Sequence, residues 1–228
     1  MGGGSGLINA HRLFLSQAAF RSLCVALCPT CHRGYFFVFA GKLEALMMPI
    51  PSVTEVIKFV HSKAFNMVPV LLLEAAAERG ILFHILAAAH AKNLWTTAEV
   101  TPEVEGYFKS FTFWWRKVVV KTLLVETRLF HPIWGYHGTP DFVGLLRGSE
   151  DIVLLDWKLG VTDKGWRLQL AAYRELCRAN EINPARVGIL QPDPSGKKMA
   201  RFIDMTATMT DDFQIFRGAL AVWRFFNE

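Results

Sequence analysis

The stretch Asp141-Phe-Val-Gly-Leu-Leu-Arg-Gly-Ser-Glu-Asp-Ile-Val-Leu-Leu-Asp-Trp-Lys158 decides the fold. Two apolar runs, residues 141–146 and 152–158, flank the polar turn Arg147-Gly-Ser-Glu-Asp151, and together they predict a β-hairpin. Ile152–Leu155 is apolar without interruption, the pattern of a strand buried on both faces. Period-two alternation then puts Asp156 and Lys158 on one face of that strand. Asp141 opens the neighbouring strand, so the two carboxylates can converge at adjacent strand ends. Acids brought together at the edge of a buried strand repel each other and lose hydration unless a cation joins them.

Working outward, Trp166–Ala179 predicts a helix, and Val187–Gln191 with Met199–Asp204 a second hairpin around Pro192-Asp-Pro-Ser-Gly196. A last helix is expected from the N-cap cluster Thr210-Asp211-Asp212 to about Phe226. Upstream, Val118–Thr127 is β-rich and carries Glu126, Phe108–Arg116 is an aromatic-rich helix, and Thr101–Tyr107 is a loop or short helix start. Val70–Asn93 carries apolar residues at helical spacing. Ser52 or Thr54 can cap a helix over Glu55–Ser62, and Glu55, three residues after Ser52, completes a capping box. This order of elements predicts an α/β or α+β layer design with a central mixed sheet covered by helices.

At 228 residues the chain accommodates one well-packed domain. With 52% hydrophobic and 20% charged residues, it is too apolar for a disordered chain and too charged for a membrane bundle. The most apolar stretches, residues 23–39 and 67–77, are interrupted or short, so no membrane span is expected. A net charge of +5 suits a polyanionic partner but is common. Three of the four cysteines (Cys24, Cys28, Cys31) precede residue 32 and the fourth is Cys177. That distribution indicates a reducing compartment and no disulfide scaffold. Cys28-Pro-Thr-Cys31 supplies only half of a tetrahedral metal site, and free thiols are the preferred reading.

Residues 1–47 are basic and contain a single acid, Glu44. They read as an N-terminal extension: a targeting peptide, an appended element, or sequence upstream of a start at Met47 or Met48. The last is favoured, with residues 48–228 forming the domain. The compartment expected is cytoplasmic, or mitochondrial if residues 1–47 act as a transit peptide.

Pro140-Asp141 followed by Asp156-Trp-Lys158 resembles the signature of the PD-(D/E)XK nuclease superfamily, with Asp at its middle position. Gly80-Ile-Leu-Phe-His84 is similar to the GxxxH motif, and Gln169–Tyr173 to the QxxxY motif, of its RecB-like branch. Pro51–Thr54 and Val187–Gln191 look like segments of mitochondrial genome maintenance exonucleases and their phage relatives. The resemblance spans about residues 49–228. It implies a restriction-endonuclease-like core and a DNA exonuclease dependent on Mg²⁺ or Mn²⁺, acting on single-stranded or free-ended DNA. The implied settings are recombination, repair or phage DNA processing, with phage recombination proteins as possible partners. A structure-dependent endonuclease and a catalytically silent DNA-binding module are the alternatives.

The resemblance implies Asp141, Asp156, Lys158 and Glu126 as catalytic residues, with His84, Asp141 and Asp156 as metal ligands. A lysine two residues after the acid can orient or deprotonate the attacking water and offset charge growing at phosphorus. Gln169 and Tyr173 share a helical face and are expected near the DNA, as are Trp115, Arg116 and Lys164. Lys197, Lys198 and Arg201 are further candidates for phosphate contacts. Competing readings stand beside each: a hydrogen-bonded core histidine for His84, a surface carboxylate for Glu126, helix packing for Tyr173, core burial for the tryptophan, and solvated surface for the cations. Iron–sulfur relatives carry three cysteines after the QxxxY helix, and this chain has only Cys177 there, so no cluster is expected. Walker and helicase motifs are absent.

Overall fold

The computed structural model describes residues 35–37, 47–61, 70–160 and 163–227. Five helices and nine strands fall within them: β1 (Tyr35–Phe37), β2 (Met47–Pro49), α1 (Val53–His61), α2 (Val70–Ala91), α3 (Pro102–Val118), β3 (Val119–Val125), β4 (Leu129–His131), β5 (Tyr136–Gly138), β6 (Phe142–Leu146), β7 (Ile152–Trp157), α4 (Gly165–Ala179), β8 (Arg186–Gln191), β9 (Arg201–Asp204) and α5 (Met209–Asn227), the last entered through a 3₁₀ turn, Thr206–Thr208. The proposed start near residue 48 and the Cys28/Cys31 pair concern a segment that lies almost wholly outside the described residues.

A mixed five-stranded sheet in the order β3-β6-β7-β8-β9 forms the centre. β6 and β7 are the antiparallel hairpin expected from the sequence, Phe142 facing Leu155 and Leu145 facing Ile152. β8 runs parallel to β7 and is reached through α4. β9 pairs antiparallel with β8 across the Pro192–Gly196 turn. The alternation of β7 then sorts its side chains. Val153, Leu155 and Trp157 enter a core with Phe83 of α2 and Phe111 and Trp114 of α3. Leu154 enters the opposite core with Val53, Leu170, Leu176 and Phe216, from α1, α4 and α5. The protein is thus α/β, with helices on both faces of the sheet, and no helix among the described residues is long and apolar enough to cross a membrane.

Local signals set several element ends. Glu55 N–H donates to Ser52 Oγ at 3.1 Å while Ser52 N–H donates to Glu55 Oε2 at 2.7 Å, closing the capping box on α1. At the other end of α2, Leu94 N–H reaches Ala89 O and Asn93 N–H reaches His90 O, with Asn93 in the left-handed region (φ 53°). This Schellman turn places in asparagine the positive φ that a β-branched residue would resist.

Three expectations are corrected, and one open reading is resolved. Thr101–Tyr107, read as a loop or a short helix start, leads into and forms the start of α3, because proline is tolerated in a first helical turn and Glu103 and Glu105 favour it. β3 stops at Val125, leaving Glu126 just beyond it. β9 begins at Arg201, not Met199, because residues 197–200 still belong to the turn. Thr210–Asp212 does not cap α5 from outside; it forms the first turn, where the buried Asp212 receives two hydrogen bonds from Arg167 at 2.7 and 2.9 Å. The short hairpin β4–β5 was not anticipated.

Candidate metal centre

The site forms where the β6–β7 ladder runs out. Phe142 and Leu155 are its last paired residues at this end, so the N–H of Trp157 has no partner on β6. The Asp141 carboxylate supplies one: Trp157 N–H donates to Asp141 Oδ2 at 2.5 Å. This bond holds the nearly buried Asp141 side chain in one orientation and leaves Oδ1 facing α2.

His84 comes from α2, on the other side of the strand end. Its Nε2 lies 3.0 Å from Trp157 O, a carbonyl that can only accept, so Nε2 carries the donated proton. Nδ1 therefore faces the acids, 3.2 Å from Glu126 Oε1 and 3.5 Å from Asp141 Oδ1. Glu126 is aimed there by its backbone, which turns into the left-handed region (φ 44°) directly after β3. Ligand atoms of His84, Glu126 and Asp141 all lie within 4.8 Å of one another, close enough to share one cation.

Asp156 and Lys158 complete the cluster from β7 and the residue beyond it. Asp156 is fully buried, and Lys158 Nζ forms an ion pair with its Oδ2 at 2.6 Å. Neither Asp156 oxygen has a partner of good hydrogen-bond geometry. A buried carboxylate with unspent acceptor capacity beside two further acids is chemically suited to a hard cation.

The protonation states follow from this crowding. Burial alone would lower the His84 pKa, but the charge and hydrogen bond of Asp141, then Glu126, then Asp156, push it up to about 10. Burial pushes the Asp156 carboxyl up to about 7; the Lys158 ammonium opposes this, and the neighbouring Asp141 charge adds to it. Burial would also raise Asp141, yet His84 and Lys158 hold it below the usual carboxylate range. Lys158 is raised, because its acids outweigh the burial that would deprotonate it. The imidazolium and ammonium thus offset much of the acid cluster's charge.

Gln169 and Tyr173 share a face of α4, with Gln169 Nε2 donating to Tyr173 Oη at 3.0 Å. The buried Tyr173 hydroxyl is held protonated by desolvation and by the charges of Asp156 and Asp141. Lys164 is exposed at the entrance to α4, and Arg116 is exposed near the end of α3. Trp115 is half-buried, in T-shaped ring contacts with Phe142 (5.1 Å between centroids) and Trp157 (6.4 Å), so it packs against the core.

Two contributors had no assigned role from sequence. The backbone N–H and C=O of Trp157 orient Asp141 and His84, and no side-chain pattern announces them. Gln191 ends the apolar strand Arg186–Gln191, and its amide donates to Gly160 O while accepting from Arg201. A polar side chain closing such a strand was the visible hint. No protein-family model matches the chain, and no curated protein matches it significantly.

Proposed function

We propose that this protein is a divalent-cation-dependent phosphodiester hydrolase of the PD-(D/E)XK type, acting as an exonuclease on free-ended DNA in recombination, repair or phage DNA processing. One observation carries the reading: His84, Glu126 and Asp141 gather around a single point beside the buried Asp156–Lys158 pair. The β3-β6-β7-β8-β9 sheet with its β7–α4–β8 crossover is consistent with a restriction-endonuclease-like core.

A bound divalent cation would supply Lewis-acid polarisation of a phosphoryl oxygen. The chain's own groups supply the rest. Asp141 and Glu126 hold carboxylate oxygens in place, one fixed by Trp157 N–H and the other by its backbone turn. His84 keeps its ring oriented through Trp157 O. Lys158 holds positive charge where negative charge grows in the transition state, and Asp156, ionising near neutrality, can take or return a proton. Tyr173, kept protonated, offers a hydroxyl next to the acids.

The test uses end-labelled linear and circular single strands with Mg²⁺, Mn²⁺ or a chelator. Loss of linear strands alone, only with cation, is the expected result. Asp141→Asn retains an oxygen for Trp157 N–H, and both it and Lys158→Ala should lower turnover by about 10²–10³ or more with the far-ultraviolet dichroism unchanged. Cleavage of circles replaces exonuclease by endonuclease action, and binding without any cation-dependent hydrolysis refutes the enzymatic reading.

A further inference from the structure

The β8–β9 turn, residues 192–200, leaves the sheet at the level of the candidate site. Trp157 pairs with Leu190, Lys158 N–H donates to Leu190 O at 3.1 Å, and Gln191 ties back to Gly160 O. Turns of this length are ordinarily mobile, but this one is fastened twice. Within it, Asp193 accepts from Ser195 Oγ at 2.5 Å and from the N–H groups of Lys197 and Lys198 at 3.2 and 3.3 Å. From outside, Ser110 of α3, which is buried, accepts Asp193 N–H through its hydroxyl at 2.8 Å. Gly106, one helical turn earlier, lets the turn approach so closely that a Cβ there would stand 1.8 Å from Pro194 O.

This clasp presents two exposed side chains, Lys197 and Lys198, neither of which has an ion-pair partner among the described residues. Asp193, the acid nearest to them in sequence, already accepts hydrogen bonds from its own turn. The other acids on the adjoining helix are Glu103 and Glu105, in the first turn of α3, before Gly106. Lys109, exposed on the next turn, lies against Gly196.

We propose that the clasped β8–β9 turn is a fixed phosphate-binding arm, in which Lys197 and Lys198 engage the backbone of the polynucleotide whose scissile bond lies at the acid cluster. The proposal rests on the nuclease reading for the identity of its ligand. A turn whose backbone is already held loses little backbone freedom on binding, and each phosphate its two ammonium groups neutralise releases condensed counterions.

The experiment is an anisotropy titration of a labelled single-stranded oligonucleotide in chelator, across a range of salt. Each phosphate contact on a single strand contributes roughly 0.7 to the slope of log affinity against log salt, so Lys197→Ala/Lys198→Ala should flatten it by about 1.4. Gly106→Ala keeps both charges but must push the turn away, and it should flatten the slope as well. Lys92→Ala/Lys121→Ala removes the same charge elsewhere and should leave it unchanged. An unchanged slope in the first variant, an equal change in the Lys92/Lys121 control, or no salt-sensitive binding by the wild type overturns the proposal. Cation-dependent hydrolysis of bis(p-nitrophenyl) phosphate by the wild type reads the nuclease assignment separately. Its absence would sink that assignment while the salt slopes still report on the arm.

Discussion

Cation binding at this site should be an exchange of a proton for a metal ion, and His84 is the residue that makes the exchange measurable. Its Nδ1 sits between Glu126 and Asp141, and the ring pKa is pushed up to about 10, so at pH 7 the cation-free ring is charged. A cation that takes Nδ1 must expel that proton, so apparent affinity should rise about tenfold per pH unit until pH approaches 10. Asp156, titrating near 7, contributes its own pH dependence lower down, which makes about pH 7.5 to 8.5 the clean window. Calorimetric titration with Mn²⁺ in two buffers of different ionisation enthalpy should return about one proton released per ion bound there. His84→Gln, whose amide nitrogen reaches the position of Nε2, keeps a donor for Trp157 O but has no such proton, so its affinity should be weaker and nearly flat with pH. The sign for stability is consistent. A histidine whose folded pKa exceeds its unfolded value of 6.5 contributes stability below 6.5 that is lost as pH rises through about 10, so alkali should loosen the cation-free protein. Zero proton release, with wild-type affinity flat across the window, would refute the assignment of His84 as a protonated ligand awaiting exchange.

Two further outcomes concern packing. Gly138→Ala places a Cβ 2.6 Å from Tyr173 Cε1, 2.9 Å from Leu176 Cδ1 and 3.0 Å from Val53 Cγ2, all on buried side chains with no room to retreat. It should cost about 1–3 kcal/mol, roughly 2–12 °C in Tm for a chain of this size, and a thermal melt matching wild type would contradict the tight contact. Ser52→Ala opens the capping box on α1 and should cost about 1 kcal/mol by denaturant unfolding, whereas Thr54→Ala, one residue into the helix, should cost less.

Much of the architecture is readable in the sequence because it rests on local rules. The β6–β7 hairpin follows from two apolar runs around Arg147-Gly-Ser, and the Ser52/Glu55 spacing announces α1. The β4–β5 hairpin escapes because three-residue strands carry too little periodicity, and its pairing is sustained by burial of Leu129, His131 and Tyr136. The start of α3 is only half legible, because Thr101-Pro102 suits a loop and a first helical turn alike. At the site, the residue types were legible, and the division among them was not. Sequence spacing pairs Asp141 with Asp156 as the cation's carboxylates. In the structure the atoms that gather are those of His84, Glu126 and Asp141, while Asp156 turns to Lys158. That division depends on side-chain orientation and on two backbone groups of Trp157, neither of which a spacing rule encodes.

The left-handed backbone at Glu126 sets two demands that no single residue type meets. A side chain with a Cβ resists this conformation by about 1 kcal/mol or more, which glycine escapes and asparagine partly escapes. Only an acid, however, provides a charged oxygen to face His84. Glutamate persists at such a corner while its charge is of use. In a sibling chain released from that use, drift toward glycine or asparagine would cost nothing in folding, so the identity of this one residue would separate working copies from retired ones.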